Sequence, residues 1–367
     1  MSDQPLIYLN HAGTSWPKPE PAIAAAQQLL TEDPLAWPDR FSRAHAKIAD
    51  FFHVAPDRLL LTPSCTAALD LAISDHAWQP GDRVLTTSYE HHAVIRPLTK
   101  LERRGVIVER VPASPHGLVD LEAVESALQA GGVRMVAMTA ASNVTGQLVP
   151  TAEITELAHA HGALMLVDGA QIAGWWDLDV LAMSADLFTF AGHKGPHAPW
   201  GVGGLIVAPH VTMNSPLAVC EVSGEGRCAT MPGYCDAGSV NLVAVVGMEA
   251  ACTWLIRSHP NRLAEARRRT AQFLAGVREL PLTLHGDSPL ESRMPTVAIA
   301  ASSLTTTELG KRLAASKVMV SAGFQCAAEA HQALGTDQTG VVRFSLGPTT
   351  GDDEIQATLE ILRHLVG

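Results

Sequence analysis

The chain has 367 residues, of which 47% are apolar and 17% charged, which is enough apolar material for a large core and excludes a disordered composition. It carries 26 Lys and Arg residues against 37 Asp and Glu, a formal net charge of −11. Because nucleic-acid binding needs clustered basic residues, this balance argues against a nucleic-acid partner. The length is typical of one large domain with a smaller one beside it.

The N-terminus and the cysteines together predict a cytoplasmic protein. Residues 1–4 contain no basic or apolar segment, so no secretory signal is predicted. No apolar stretch approaches the roughly 18 to 20 residues of a membrane-spanning helix, so no membrane contact is expected. Without a C-x-x-C pair, the cysteines predict reduced thiols and no metal site. The chain has six of them: Cys65, Cys220, Cys228, Cys235, Cys252 and Cys326.

The first half of the chain alternates short apolar runs with longer amphipathic segments. This alternation is typical of a parallel sheet covered by helices, and runs that are apolar throughout indicate that both sheet faces are covered. Strands are predicted at 58–61, 83–87, 106–111, 133–138, 163–167, 186–190 and 203–207. Helices are predicted at 65–73, 91–104, 121–129 and 152–161.

The second half begins with two long predicted helices, 242–256 and 261–277, and then changes its pattern. The later elements indicate a smaller α/β domain. Its strands are predicted at 282–285, 296–299, 317–320 and 341–345, and its helices at 306–315 and 352–365. We therefore expect a large domain over residues 16–255 and a smaller one made of 1–15 and 256–367.

Polar side chains follow four of the predicted strands, at the edge where open α/β sheets place their ligand sites. They are a lysine (Lys194), an aspartate (Asp168), an imidazole (His91) and a helix N-terminus that opens at Cys65 and Thr66. This combination on one sheet edge predicts a site for pyridoxal 5'-phosphate (PLP).

The chemistry of PLP gives each of these groups a task. Lys194 would supply the amine for a Schiff base, and Asp168 would keep the pyridine nitrogen protonated so that the ring draws electrons. His91 would stack on the ring, and Gln171 would donate to the ring oxygen. The helix N-terminus would hold the phosphate through its free N–H groups.

In these residues, and in motifs spread over nearly the whole length, the chain resembles the class V aminotransferase-like enzymes of PLP fold-type I, in particular the cysteine desulfurase and selenocysteine lyase branch. The resemblance implies an α/β fold with a mainly parallel, seven-stranded-type sheet in the large domain and a smaller α/β C-terminal domain. The motifs that carry it are at residues 8–14, 142–146, 168–171, 193–194, 237–241, 322–327 and 342–345.

For the cofactor side of the site, the resemblance implies that Lys194 carries PLP and that Cys65, Thr66 and His193 surround the phosphate. Ser239 lies where the family brings a phosphate contact from the neighbouring subunit, which implies a homodimer. Asn143 is expected beside both cofactor and substrate.

For the substrate side, the resemblance implies that Arg343 and Asn143 bind the carboxylate of a small amino acid. An arginine suits this task because its planar fork matches a carboxylate. Cys326 matches the family's sulfur-accepting thiol and would hold a persulfide, with a sulfur-acceptor protein as a further partner. His11 places an imidazole near the expected substrate.

Several positions depart from the family pattern, mostly on the substrate side. The loop that carries Cys326 lacks an arginine and a histidine that the family commonly has, so its chemistry is less well defined than that of the cofactor. The departures are Asn10-His11 with Gly13, Ala191, the loop 195–200 with His197 and Trp200, Ser321 and Gln325.

Three functions follow from these observations. The first is a PLP-dependent cysteine desulfurase-like enzyme that removes sulfur or selenium from a cysteine-type amino acid through Cys326. The second is a C–S lyase or aminotransferase of the same fold, acting on another small amino acid, with Cys326 not catalytic. The third is a PLP-binding scaffold or sulfur-relay partner with little turnover.

Overall fold

A computed structural model describes residues 5–112, 119–213 and 240–367 of the chain. Its strands, numbered in chain order, are β1 (Ile7–Tyr8), β2 (Leu59–Thr62), β3 (Arg83–Thr87), β4 (Ile107–Val111), β5 (Val133–Thr139), β6 (Leu164–Asp168), β7 (Leu187–Ala191), β8 (Gly203–Val207), β9 (Leu282–His285), β10 (Thr296–Ala301), β11 (Val318–Met319), β12 (Ser321–Gly323) and β13 (Val341–Ser345). Its α-helices are α1 (Glu20–Leu29), α2 (Trp37–Phe51), α3 (Cys65–Ser74), α4 (His92–Glu102), α5 (Leu121–Gln129), α6 (Thr151–Ala160), α7 (Leu242–Ser258), α8 (Arg262–Arg278), α9 (Thr306–Ala315), α10 (Ala328–Ala333) and α11 (Asp352–Val366).

The large sheet has seven strands in the order β2-β8-β7-β6-β5-β3-β4. All neighbours are parallel except β8, which is antiparallel to both β7 and β2. The register aligns Thr139 of β5 with Asp168 of β6, and Asp168 with Thr189 of β7. The strand ends therefore meet at one edge, and the prediction of a mainly parallel α/β sheet is confirmed.

Both faces of this sheet are covered by apolar clusters, as the runs without alternation predict. Along β5, Val136 and Met138 face one cluster, whereas Met135 and Ala137 face the other. Successive strand residues point to opposite faces, so only an apolar run can bury both.

The smaller sheet is antiparallel throughout, in the order β12-β13-β10-β9. A third apolar cluster packs it against α8, α9 and α11, and includes Phe273, Ile299 and Phe344. Leu9, from the N-terminal segment, belongs to the same cluster, and β1 pairs with β11. On this basis we propose the domain division 16–255 and 1–15 with 256–367.

The structure differs from the predicted elements mainly in two places. The predicted strand 317–320 contains only the short β11, and a second strand, β12, which belongs to a different sheet, begins just beyond it at Ser321. No element was assigned between residues 16 and 57, where α1 and α2 lie. Both of these helices have proline in their first turn, where its missing N–H costs no hydrogen bond, so proline there marks a helix start. No helix among the described residues is both long and apolar enough to cross a membrane.

Candidate active site

A cavity of about 340 Å³ lies at the carboxyl edge of the large sheet, where it meets β12 and β13 of the smaller sheet. It brings together most of the residues that the sequence singled out. On its wall are Cys65, Thr66, His91, Asn143, Asp168, Gln171, His193, Lys194, Ser321, Gln325, Cys326 and Arg343.

Lys194 follows β7 and reaches the cavity through a tight turn in which its N–H donates to Ala191 O at 3.3 Å. Burial lowers the pKa of its amine, and the nearby Asp168 carboxylate opposes that shift. A lysine in these surroundings has a larger neutral fraction than one in water, which makes its amine a better nucleophile.

Asp168 ends β6 and is buried at the floor of the cavity. Its Oδ1 accepts the N–H of Ala170 at 3.0 Å and lies 3.6 Å from Cys65 Sγ, whose second contact is Thr189 Oγ1 at 3.4 Å. Burial raises the pKa of Asp168 and raises that of the Cys65 thiol well above its ordinary value. Cys65 is therefore a neutral donor that helps to orient the carboxylate.

His91 is the N-cap of α4, since its Nδ1 accepts the N–H of Ala93 at 3.0 Å. This bond places the ring proton of the neutral imidazole on Nε2. Burial, followed by the charge of Lys194, lowers the pKa of His91 to about 4, so the ring is neutral near pH 7. The cap thus fixes both the orientation and the tautomer of the ring at the cavity wall.

The N-terminus of α3 faces the same cavity. Ser64 is its N-cap and accepts the N–H of Ala67 at 3.2 Å, while Cys65 and Thr66 form the first turn. Across the cavity, His193 Nδ1 lies 3.1 Å from Thr14 Oγ1, and burial lowers the pKa of His193 to about 4. A helix N-terminus of this kind binds anions such as phosphate.

Arg343, on β13, is buried and reaches the cavity from the smaller sheet. It donates from one terminal nitrogen to Asn143 O at 2.8 Å and from the other to Asn10 Oδ1 at 2.9 Å. Its Nε is buried and makes no hydrogen bond to a described residue. Burial lowers the pKa of the guanidinium to about 10, so it stays charged at neutral pH.

Cys326 lies at the exposed rim of the cavity, on a turn in which both Gln325 (φ 42°) and Cys326 (φ 56°) are left-handed. Polar contacts hold this turn at two carbonyls: Asn143 Nδ2 donates to Gln325 O at 2.6 Å, and the N–H of His92 donates to Cys326 O at 2.8 Å. These two hydrogen bonds fix the backbone of the turn and, with it, the position of the Cys326 thiol.

The Gln325 side chain turns inward and braces the same turn. Its Nε2 donates to Ser321 O at 3.3 Å and to Val341 O at 3.2 Å. Its Oε1 accepts a hydrogen bond from Nε2 of the buried His331, at 3.2 Å. This glutamine, which the sequence showed only as a departure from the family, has a definite structural role here.

Two predicted residues are not found on the cavity wall. His11 is buried, and its ring packs against Tyr8 and His197 at centroid distances of 5.1 and 6.1 Å. Its ring occupies the space beside Gly347, and its contact with a substrate stays a prediction. Ser239 lies outside the described residues, and its phosphate contact stays a prediction.

The sequence analysis missed two contributors. Asn10 touches Arg343, and Glu90, next to His91, is fully buried with its carboxylate bonded to Thr87 and Thr139. Burial raises the pKa of Glu90 to about 8. The position of Glu90 between a strand and His91 is a local signal for it. Asn10 stands out in the sequence only as a departure from the family, and its contact with Arg343 joins distant segments.

The described part of the chain contains no group of three or more His, Cys, Asp or Glu side chains arranged to hold a metal ion. The remaining predicted residue, Gln171, donates from Nε2 to Ala12 O at 3.2 Å, with its amide at the cavity wall.

Known proteins are similar to this chain over almost its whole length. A "Probable cysteine desulfurase" of Methanothermobacter thermautotrophicus is 28% identical over 98% of this chain and 95% of its own length. A "Cysteine desulfurase" of an Enterobacter species is 27% identical over 99% of this chain and 95% of its own.

Solved structures establish the fold. The apo structure of a cysteine desulfurase from Thermococcus onnurineus aligns with a TM-score of 0.92 at 24% identity, covering 98% of this chain and 94% of that one. The Escherichia coli cysteine desulfurase CsdA, in an S-sulfonic acid form, aligns with a TM-score of 0.88 at 24% identity over the same shares. The Aminotransferase class-V family matches residues 7–358. With the fold, the cavity and this match in agreement, the chain belongs to the class-V aminotransferase family.

Proposed function

We propose that this protein is a PLP-dependent cysteine desulfurase, which removes sulfur, or selenium, from a cysteine-type amino acid and holds it as a persulfide on Cys326. The observation that carries the proposal is that one cavity is lined by Lys194, Asp168, Arg343 and Cys326. These side chains supply an amine, an anion, a cation and a thiol from both sheets, and sulfur removal from an amino acid needs all four.

The cavity fits PLP on its own contacts. The two N–H groups that open α3 suit a phosphate, the Asp168 carboxylate suits a protonated ring nitrogen, and the Lys194 amine suits the aldehyde. When bound, PLP acts as an electron sink for the substrate's α-carbon. We propose that His91 and Gln171 contact the ring, and that Thr66, His193 and Ser239 hold the phosphate.

Arg343 and Asn143 are placed to bind and orient the substrate. Arg343 is a buried cation on the cavity wall, and neither of its terminal nitrogens is bonded to a carboxylate, so a substrate carboxylate would find a charged donor there. Asn143 fixes the geometry by joining Arg343 to the Cys326 turn through its O and Nδ2 atoms.

The Lys194 amine moves the α-proton. Its pKa is lowered by burial, so part of it is neutral and able to accept that proton, and the neutral His91 is a donor from Nε2 beside it. Asp168 remains an anion opposite, which balances the charge of a protonated Lys194.

Cys326 takes the sulfur. Its thiolate attacks the substrate sulfur, an S–S bond forms, and the C–S bond breaks with its electron pair remaining on carbon. That carbon then takes up a proton, so cysteine and one thiol become alanine and one persulfide. The step balances without an added oxidant or reductant.

The test is a product assay with L-cysteine and a thiol reductant, measuring alanine, sulfide, pyruvate and ammonia together. We expect alanine and sulfide in equal amounts from the wild type, loss of both from C326S, and retention of both in C252A. Cys252 is a buried thiol of the large core and is not on the cavity wall, which makes it a matched control. Equal activity in C326S would remove the thiol from the mechanism. Pyruvate and ammonia as products would instead establish the lyase, and conversion of the cofactor to its amine form would establish the aminotransferase.

We also propose that the protein is a cytoplasmic homodimer that hands its sulfur to an acceptor protein. Support for the dimer comes from an exposed apolar concavity between α1 and the loop after Lys194, lined by Ile23, Leu30, Trp200 and Val243. Trp200 is 66% exposed and Leu30 is 71% exposed. Exposed apolar patches of this kind are typical of protein–protein contact sites, so we expect a second subunit to cover them. The exposed position of Cys326 suits transfer to a second protein.

A further inference from the structure

Arg343 is the only arginine on the described wall of the cavity, and its two hydrogen-bond acceptors, Asn143 O and Asn10 Oδ1, are neutral. The residue directly across from it on the paired strand β12 is Ser321, where the family commonly has an arginine. Directly opposite residues of antiparallel strands share a face, so a second cation at position 321 would lie beside Arg343. In this chain Arg343 has no second arginine beside it on the paired strand.

The partner that orients Arg343 is neutral as well. Asn10 Oδ1 accepts from a terminal nitrogen of Arg343 at 2.9 Å, and since a guanidinium only donates, the oxygen of the amide must face it. No carboxylate of the described residues lies within ion-pair distance of Arg343, so its charge is not neutralised by the protein.

Gly13 makes room for this amide. A Cβ at position 13 would lie 2.8 Å from Asn10 Oδ1, closer than real Cβ atoms come to a neighbour, and 3.1 Å from Asn10 Nδ2, so the amide of Asn10 would have to move. Gly13 is not in the left-handed region, so the backbone itself would accept a side chain. The glycine is therefore needed for space, and Asn10 and Gly13 form one unit.

We propose that Asn10, seated by Gly13, is a specificity-determining residue that fixes the plane of Arg343 while leaving its charge for the substrate's α-carboxylate. Ser321, directly across from Arg343, is neutral, so Asn10 is the side chain whose charge would decide how much of the Arg343 charge is left for a substrate. An aspartate at position 10 in this chain would pair with Arg343 and compete with the substrate carboxylate.

This inference rests on the proposed function for the nature of the substrate, but its test distinguishes a failure of the Asn10 proposal from a failure of the desulfurase proposal. We would titrate the PLP-loaded protein with L-alanine and with ethylamine by calorimetry. Both have an amine, but only alanine has a carboxylate, and neither carries sulfur. If cysteine yields no alanine, the desulfurase proposal fails, whereas the alanine titration still tests Asn10.

The decisive variant is N10D, which keeps the shape of the side chain and adds a charge. We expect it to weaken L-alanine binding by roughly 10- to 100-fold, the range for a charge-assisted hydrogen bond, and to leave ethylamine binding unchanged. With L-cysteine it should raise KM with little change in kcat. The matched control N261D adds the same charge at an exposed helix N-cap away from the cavity and should behave as wild type.

The inference is overturned if N10D binds L-alanine as the wild type does, or if it loses both ligands equally. Should N10D fail to melt cooperatively, G13A decides the question, because it displaces the Asn10 amide without adding a charge. G13A must then weaken alanine binding and spare ethylamine; equal binding of both ligands to G13A and wild type overturns the inference.

Discussion

The glutamine that braces the Cys326 turn gives a prediction that can be worked out from its contacts. In Q325L the shape of the side chain is nearly kept, but the donations to Ser321 O and Val341 O and the acceptance from His331 are lost. Each hydrogen bond contributes about 1 kcal/mol, and the buried His331 Nε2–H is left without a partner, so we expect the free energy of unfolding to fall by about 2 to 4 kcal/mol.

The loss of the Gln325 hydrogen bonds should also change the position of the Cys326 thiol. Both Gln325 and Cys326 are in the left-handed region, which costs about 1 to 3 kcal/mol per residue and persists only where contacts hold it. Without the brace the turn relaxes, and the rate of sulfur transfer to Cys326 should fall while cofactor binding is unchanged.

Urea unfolding and single-turnover formation of alanine measure the two effects. The matched control is Q338L, which removes an exposed glutamine whose amide bonds only Asp337 at the surface. If Q325L and Q338L have the same stability and the same rate of alanine formation, the reasoning about the brace is wrong.

Three further predictions test other parts of the structure. H91A should lower the free energy of unfolding by about 1 kcal/mol, because α4 loses its N-cap. H91N should keep the stability of the wild type, because asparagine also caps helices, and both variants should lose activity. Equal stability of the two variants in thermal melts would contradict the capping role of His91. Glu90 has its pKa raised from 4.5 to about 8, so its contribution to stability is complete below pH 4.5 and is lost as the pH rises through 8. The free energy of unfolding of E90Q should therefore fall less steeply than that of wild type between pH 4.5 and 8, and parallel curves would refute this. W200E should convert a dimer into monomers in sedimentation experiments, and an unchanged dimer would remove that face from the interface.

Local pattern was sufficient for the large sheet and for the cofactor side of the cavity. Most strands of that sheet are apolar runs closed by a turn. Asp168 ends β6 and Lys194 follows β7 after two residues, at the edge where the ends of parallel strands converge. Helix α5 (Leu121–Gln129) has its predicted bounds, and Asp120 caps its first turn.

The substrate side was less predictable because it is built from contacts between distant segments. Asn10 and Arg343 are 333 residues apart in sequence, and Asn143 and Gln325 are 182 apart. The sequence showed that position 321 lacks an arginine, but only the pairing of β12 with β13 shows that it faces Arg343. Such pairings carry no local signal, and β12, which follows the predicted strand 317–320, was missed for the same reason.

The central claim is that Cys326 receives the sulfur from a substrate held by Arg343 and activated at Lys194. Mass spectrometry of the PLP-loaded protein after one turnover with L-cysteine, without reductant, tests it most directly. The account predicts one added sulfur atom on the peptide that contains Cys326, with one alanine released per sulfur bound. Alanine release with that peptide unmodified, or the added sulfur found on a different cysteine, contradicts it.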